Sequence, residues 1–271
     1  MLAKLGDHAR FWRRRLRSIG GRLKTKLLPP GREIGMRNRP KSSGIRRLMG
    51  SLPMADAARS NLDVWKKLQS DGYFEKHPCY KGISDFGGEE AARAINWFLP
   101  LRSDMKVAVI GCGYGRETLK LAPLVGHVYG IDVSDTILNK AVGYLSERGI
   151  KNFTPVLAES FAQTIPSGLD VVFSIVVMQH LTRDLVRNYF VELGKKLTPG
   201  GGFVVQFLDE HGVDYGRTDA PENSGGEPSI SWSPWQLVEL SQKAGLTLVE
   251  IRTQLVTDAA LWHWAYFRKE R

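Results

Sequence analysis

The chain has little of what builds small stapled or membrane-embedded proteins. Its 271 residues hold only two cysteines, Cys79 and Cys112, too few for a disulfide framework or a multi-thiolate metal site, and a reducing compartment is the default. No run approaches the roughly 18 apolar residues of a membrane span, and the first residues lack the continuous apolar stretch of a secretory signal. Acids are scarce in one place. Among residues 1–50, fifteen Lys and Arg stand against Asp7 and Glu33, a local charge of +13, so the whole-chain +10 leaves −3 for residues 51–271. The basicity belongs to a tail, and the body is mildly acidic. With 42% hydrophobic residues overall, there is apolar material for a substantial core.

Within the tail, Leu5, Ala9, Trp12, Leu16, Ile19, Leu23 and Leu27 recur at steps of four and three, which puts them on one helical stripe with arginines on the remaining faces. Gly20 and Gly21 weaken that helix, and Pro29, Pro30 and Gly31 end it. Residues 32–50 read as a basic linker. Three readings of the tail compete: a helix lying on anionic lipid through residues 1–28, an organelle-targeting peptide, and a basic arm that is solvated or binds nucleic acid. The apolar stripe with Trp12 favours the lipid surface. The localisation expected is therefore cytoplasmic, with peripheral attachment to a membrane surface, and organelle import remains an open alternative.

Beyond the linker, residues 55–74 read as a helix, and an aromatic-rich stretch leads into a second helical pattern at 89–98. The two form an N-terminal lid segment, residues 51–100, ahead of a domain at 101–271. There, short β-branched runs at 106–110, 127–131, 153–157, 170–175 and 202–207 alternate with helical stretches. That alternation implies βαβ units and a parallel sheet covered on both faces. Pro155 removes a ladder donor from the third run, so that strand belongs at an edge. A helix at 235–244, closed by Gly245, precedes two runs, 246–253 and 261–269, with no helix between them. They predict a hairpin in which at least one strand is antiparallel to the rest.

The sharpest local signal is a hydrophobic strand, Val107 to Ile110, running into Gly111, Cys112, Gly113, Tyr114, Gly115 and Arg116 and then a helix. In a doubly wound sheet this turn lies at the carboxyl end of the first strand, where ligands bind, and glycines let a ligand approach the backbone. The dinucleotide fingerprint would need its third glycine where Arg116 stands, so the spacing disfavours NAD. Asp132 ends the second strand 21 residues after Gly111. A carboxylate there can accept both hydroxyls of an adenosine ribose, while Ser134 or Asp135 is available to cap the next helix.

These motifs, together with the run from Leu169 to Leu181 and the turn at Pro199 to Gly202, resemble the class I S-adenosylmethionine-dependent methyltransferases over roughly residues 88–269. The resemblance implies an α/β fold, a doubly wound, mostly parallel seven-stranded sheet with a C-terminal antiparallel hairpin and an N-terminal helical extension. It also implies S-adenosylmethionine as cofactor and S-adenosylhomocysteine as product. Gly111, Cys112, Gly113 and Gly115 would wrap the methionine part and Asp132, with Val133 beside it, the ribose. Glu159 and Ser160 would flank the adenine, although many members carry Asp near Glu159, and Ile175 would line the cleft after the fourth strand.

Methyl transfer from a sulfonium is an in-line displacement that depends on orientation and desolvation. His180, expected just past the fourth strand and facing the same cleft, has the position and pKa range for a base; the competing reading has it capping or packing beneath the next helix. Asp209, Glu210 and His211 offer alternative bases, and they lack a second group at metal-ligand spacing, so no metal is expected. Tyr73, Phe74, Tyr80, Trp232 and Trp235 either roof an acceptor pocket or serve as core and lid residues. The fourth-strand turn has no Asn/Asp-Pro-Pro-Tyr of base amino-group methylation, and the body has no net positive charge to follow a phosphate backbone, so nucleic acid is disfavoured as a partner. A small-molecule or glycan hydroxyl, lipid-linked if the tail rests on membrane, is the leading acceptor. A nucleic-acid- or protein-directed enzyme and a non-catalytic S-adenosylmethionine-binding regulator are the alternatives, and the oligomeric state stays open.

Overall fold

The structure, a computed structural model, describes residues 54–76, 88–210, 230–257 and 260–270. The helix expected on the basic tail, the linker to residue 50, and Cys79, Tyr80 and His211 lie outside them. The described chain begins with helices α1 (Met54–Ser70), α2 (Tyr73–Lys76) and α3 (Glu89–Asn96). Strand β1 (Lys106–Ile110) leads through the glycine turn to α4 (Arg116–Leu121), β2 (His127–Asp132), α5 (Asp135–Ser146), β3 (Phe153–Leu157), α6 (Phe161–Thr164) and β4 (Leu169–Ser174). A 3-10 turn (Met178–His180), the second after Ala122–Leu124, then precedes α7 (Arg183–Lys196), β5 (Leu197–Glu210), α8 (Pro234–Ala244), β6 (Thr247–Thr257) and β7 (Ala260–Arg268).

The seven strands form one sheet in the order β3-β2-β1-β4-β5-β7-β6. Strands β1 to β5 pair in parallel, whereas β7 is antiparallel to both β5 and β6. β3 is an edge strand, with Pro155 opposite Gly130, so the missing donor costs no ladder bond on its open side. The C-terminal pair is the expected hairpin.

Alternation along each strand divides the core between two faces. Ala108, Ile110, Val172, Val205 and Phe267 turn to one side, where they meet Phe190 and Leu193 of α7 and Leu237 of α8. Phe190 stacks on Phe203 at 4.3 Å between centroids and meets Phe267 edge-on at 4.9 Å, contacts that add to the burial of these rings. Val107, Val109, Phe173, Val204 and Trp264 turn to the other side, against Ala91, Ala94 and Ile95 of α3 and Leu121 of α4. Because both faces are covered, the central strands read as continuous apolar runs rather than alternating ones.

Helix ends follow local chemistry. Ser134 caps α5 by accepting Ile137 N–H, leaving Asp132 available to the site. Ser233 and Gln236 form a capping box on α8, and Gly245 ends it at φ 65°. Several boundaries differ from expectation, among them the strand expected at 246–253, which runs to Thr257, and the helix expected at 89–98, which ends at Asn96; two have a plain cause. The helix expected to reach residue 74 breaks at Gly72, which sits at φ 80° and ends α1 before α2 begins. β5 starts at Leu197, five residues earlier than its β-branched run, because Leu197 already pairs with Leu169. Among the described residues no helix is long and apolar enough to cross a membrane.

Candidate functional site

A cleft of about 870 Å³, its open mouth included, lies at the carboxyl ends of β1, β2 and β4. That is the position expected for a ligand site in an open α/β sheet. Gly111, Cys112, Gly113, Asp132, Val133, Ile175 and His180, all singled out from sequence, line it. Gly115, Glu159 and Ser160 do not. Gly115 precedes α4 at φ 97°, where a Cβ would sit 3.0 Å from Leu145. Glu159 stands just past β3 and forms an ion pair with Lys66 of α1, and Ser160 precedes α6.

The glycine loop is fastened to the end of β2. Gly111 N–H and Cys112 N–H both donate to Ile131 O, at 2.8 and 3.0 Å. Across the cleft, the turn after β4 is held tightly as well. Val176 adopts φ 58°, a costly conformation for a β-branched residue, and its N–H donates to the buried Gln206 Oε1 at 2.8 Å.

Asp132 is the electrostatic centre. It is 5% exposed. Its Oδ2 accepts Gly113 N–H at 2.8 Å, and its Oδ1 accepts Val133 N–H at 2.8 Å and Gln69 Nε2 at 2.9 Å. Burial pushes its pKa above the usual carboxylate value, while Gln69 and the backbone N–H groups of Gly113, Val133 and Ser134 pull it back. Burial also raises the Cys112 thiol well above its ordinary pKa, with Asp132 and Glu117 adding to the effect. Cys112 is therefore a neutral wall residue rather than a nucleophile.

Helix α1 closes the cleft from above. Asn61 Nδ2 and Trp65 Nε1 both donate to His180 O, at 3.0 and 3.1 Å, and the rings of Trp65 and His180 lie 5.0 Å apart. Tyr73 and Phe74 line the cleft as a roof, and Phe74 Cζ would stand 3.1 Å from a Cβ on Gly113. Asn61, Trp65 and Gln69 belong to no recognisable motif, and only their spacing of four, which puts them on one helix face, marks them in the sequence. Of the other aromatic candidates, Trp232 is buried against Phe207 and Trp235 is 71% exposed; neither lines the cleft.

In the acidic cluster at the end of β5, Asp209 is paired with a histidine of the neighbouring strand. Asp209 Oδ2 meets His263 Nε2 of β7 at 3.1 Å, and His263 Nδ1 meets Thr253 Oγ1 of β6 at 2.9 Å. His263 was not foreseen, because only strand register brings it across. Among the described residues no group of three His, Cys, Asp or Glu could hold a metal ion.

The residues present suit a nucleoside bearing an amino-acid chain. Gly111 and Gly113 offer bare backbone, Asp132 offers a buried carboxylate, and Gln69 Oε1 is a buried acceptor with no hydrogen-bond partner. Residues 107–201 match the family model described as a methyltransferase domain. The chain is 27% identical over 157 residues to a ubiquinone biosynthesis O-methyltransferase of Cupriavidus pinatubonensis, covering 54% of this chain and 62% of that protein. It is 29% identical over 156 residues to an N-terminal Xaa-Pro-Lys N-methyltransferase of Xenopus laevis, covering 56% and 66%. The matched region thus spans less than two thirds of either relative. Among solved structures, Haemonchus contortus phosphoethanolamine N-methyltransferase 2 with phosphomonomethylethanolamine and S-adenosylhomocysteine superposes with a TM-score of 0.59 at 17% identity, covering 73% of this chain and 59% of that one. The DhpI complex with S-adenosylhomocysteine gives 0.55 at 19% identity, covering 80% and 99%. These two share the fold.

Proposed function

We propose, from the premise that this chain belongs to the class I S-adenosylmethionine-dependent methyltransferases, that it methylates a hydroxyl of a small molecule or glycan, with His180 taking the proton. The position of His180 is the observation that carries this reading. It lines the same cleft as the glycine loop and Asp132, beneath the aromatic roof. S-adenosylmethionine supplies the methyl group, as an electrophile on a sulfonium. Gly111, Cys112 and Gly113 would hold its methionine part, Asp132 its ribose, and Val133 and Ile175 its apolar flanks, with Glu159 and Ser160 at the rim nearest the adenine. The His180 ring would take the acceptor hydroxyl's proton as the methyl group is transferred to its oxygen. Trp65, Tyr73 and Phe74 exclude water and hold the acceptor in line.

An oxygen acceptor accords with the O-methyltransferase relative. An amine acceptor is the second reading, favoured by the Xaa-Pro-Lys N-methyltransferase relative. Incubation with methyl-labelled S-adenosylmethionine and a panel of phenols, glycans, phosphoethanolamine and Xaa-Pro-Lys peptides separates them. Label on a hydroxyl, lost in His180→Ala, supports the first reading; label only on amines replaces it. Binding of S-adenosylhomocysteine without turnover on any acceptor would favour a regulatory protein. Residues 1–28 are proposed to rest on anionic membrane, which would bring a lipid-linked glycan or isoprenoid quinone within reach. Equal sedimentation with anionic liposomes by the full chain and a chain lacking residues 1–50 would refute that attachment.

A further inference from the structure

The acceptor sites of Asp132 are nearly used up. A carboxylate has about four lone-pair positions. Asp132 already accepts N–H groups from Gly113, Val133 and Gln69, which leaves room for about one more donor. Two ribose hydroxyls cannot both be added to that set. Among these donors only Gln69 is a side chain, and it comes from outside the sheet domain.

The orientation of the Gln69 amide follows from its partner. The atom facing a carboxylate must be the Nε2 donor, because Oε1 there would repel it. Oε1 is then turned away, and it is buried without a hydrogen-bond partner although Gln69 lines the cleft and is only 7% exposed. A buried acceptor without a donor is costly unless a ligand supplies one. That unmet acceptor belongs to a side chain that lines the cleft.

We infer that Gln69 is a cofactor ligand, its Oε1 accepting one ribose hydroxyl while Asp132 accepts the other. This rests on the S-adenosylmethionine reading of the cleft. The helix delivers Gln69 reproducibly, because Asn61 and Trp65, four residues apart on the same face, are tied to His180 O, and Lys66 is tied to Glu159. One helix therefore touches the carboxyl ends of β2, β3 and β4, and the bound nucleoside would lock it there.

The test is calorimetric titration of the full chain and of Gln69→Met, which keeps the length and removes both polar atoms, with S-adenosylhomocysteine and its 2′-deoxy and 3′-deoxy forms. The expected result is a loss of about fivefold in affinity for S-adenosylhomocysteine on substitution. For one of the two deoxy ligands that loss disappears, because the hydroxyl Gln69 would accept is already gone. Hydrogen exchange should agree: S-adenosylhomocysteine slows exchange across α1 in the native chain and less in Gln69→Met. The inference is overturned if Gln69→Met binds all three ligands as the native chain does, binds them more tightly, or loses the same factor for each. Failure of the native chain to bind S-adenosylhomocysteine at all would instead remove the cofactor reading beneath it.

Discussion

Gly111 and Val177 share a space that cannot hold a Cβ: one built on Gly111 would stand 2.3 Å from Val177 Cγ2. The contact joins the two sides of the cleft, since Gly111 begins the glycine loop and Val177 ends the turn after β4. Neither side can retreat easily. Gly111 is pinned to Ile131 O, and the neighbouring Val176 is held at φ 58° by Gln206.

Gly111→Ala should therefore be costly twice over, through the collision and through the φ of 68° that alanine disfavours. Strain of about 1–3 kcal/mol for the backbone and a similar amount for overpacking are typical. Urea unfolding should place the variant about 2–6 kcal/mol below the native chain, and calorimetry should find S-adenosylhomocysteine binding lost. A change below about 0.5 kcal/mol would mean the turn after β4 yields freely.

Acidification should weaken cofactor binding at a higher pH than an ordinary aspartate would allow. The Asp132 pKa is raised by burial, so as pH falls through that value the carboxyl gains a proton and loses an acceptor site that the ribose needs. For the unliganded fold the sign is opposite: a raised folded pKa gives a stabilising contribution that is present at low pH and lost as pH rises through that value. Titrations with S-adenosylhomocysteine from pH 8 down to the acid limit of the folded state should show affinity falling at the acid end, flattened in Asp132→Asn, which binds weakly throughout. Affinity independent of pH in the native chain would contradict an ionised Asp132 as the ribose ligand.

His180→Ala should separate chemistry from binding. Removing a general base typically costs about 10²–10⁴-fold in rate, while the carbonyl that anchors Asn61 and Trp65 is backbone and survives the change. With an acceptor in hand, kcat should fall by about a hundredfold and S-adenosylhomocysteine affinity by less than threefold. An unchanged kcat would assign His180 to packing beneath Trp65.

The parts of the fold legible in the sequence are those fixed by local chemistry. β1 reads as a strand because both its faces are buried; Pro155 reads as an edge, and Gly245 as a helix end. The glycine loop and Asp132 are legible for the same reason, since each lies at a strand's carboxyl end that the sequence itself marks. Gln69 is not, because its value depends on a helix some sixty residues earlier landing on β2, and nothing in its own neighbourhood says so. Gln206 is likewise hidden: it looks like a polar interruption in an apolar strand, and only the strained Val176 explains it.

The same limit applies to His263, whose partner Asp209 lies 54 residues away and reaches it only through the register of β5 and β7. Both side chains are almost wholly buried, so each satisfies a polar group that would otherwise be stranded among Phe207 and its neighbours. Asp209→Ala leaves the His263 ring without its partner, a loss of about 1–3 kcal/mol, whereas Asp209→Asn keeps a hydrogen-bonding group and should recover most of it. Urea unfolding of the two variants reads the difference, and S-adenosylhomocysteine affinity should hold in both, because neither residue lines the cleft. If Asp209→Asn instead abolished turnover at native stability, the pair would belong to the acceptor chemistry, and His263 would displace His180 as the leading base.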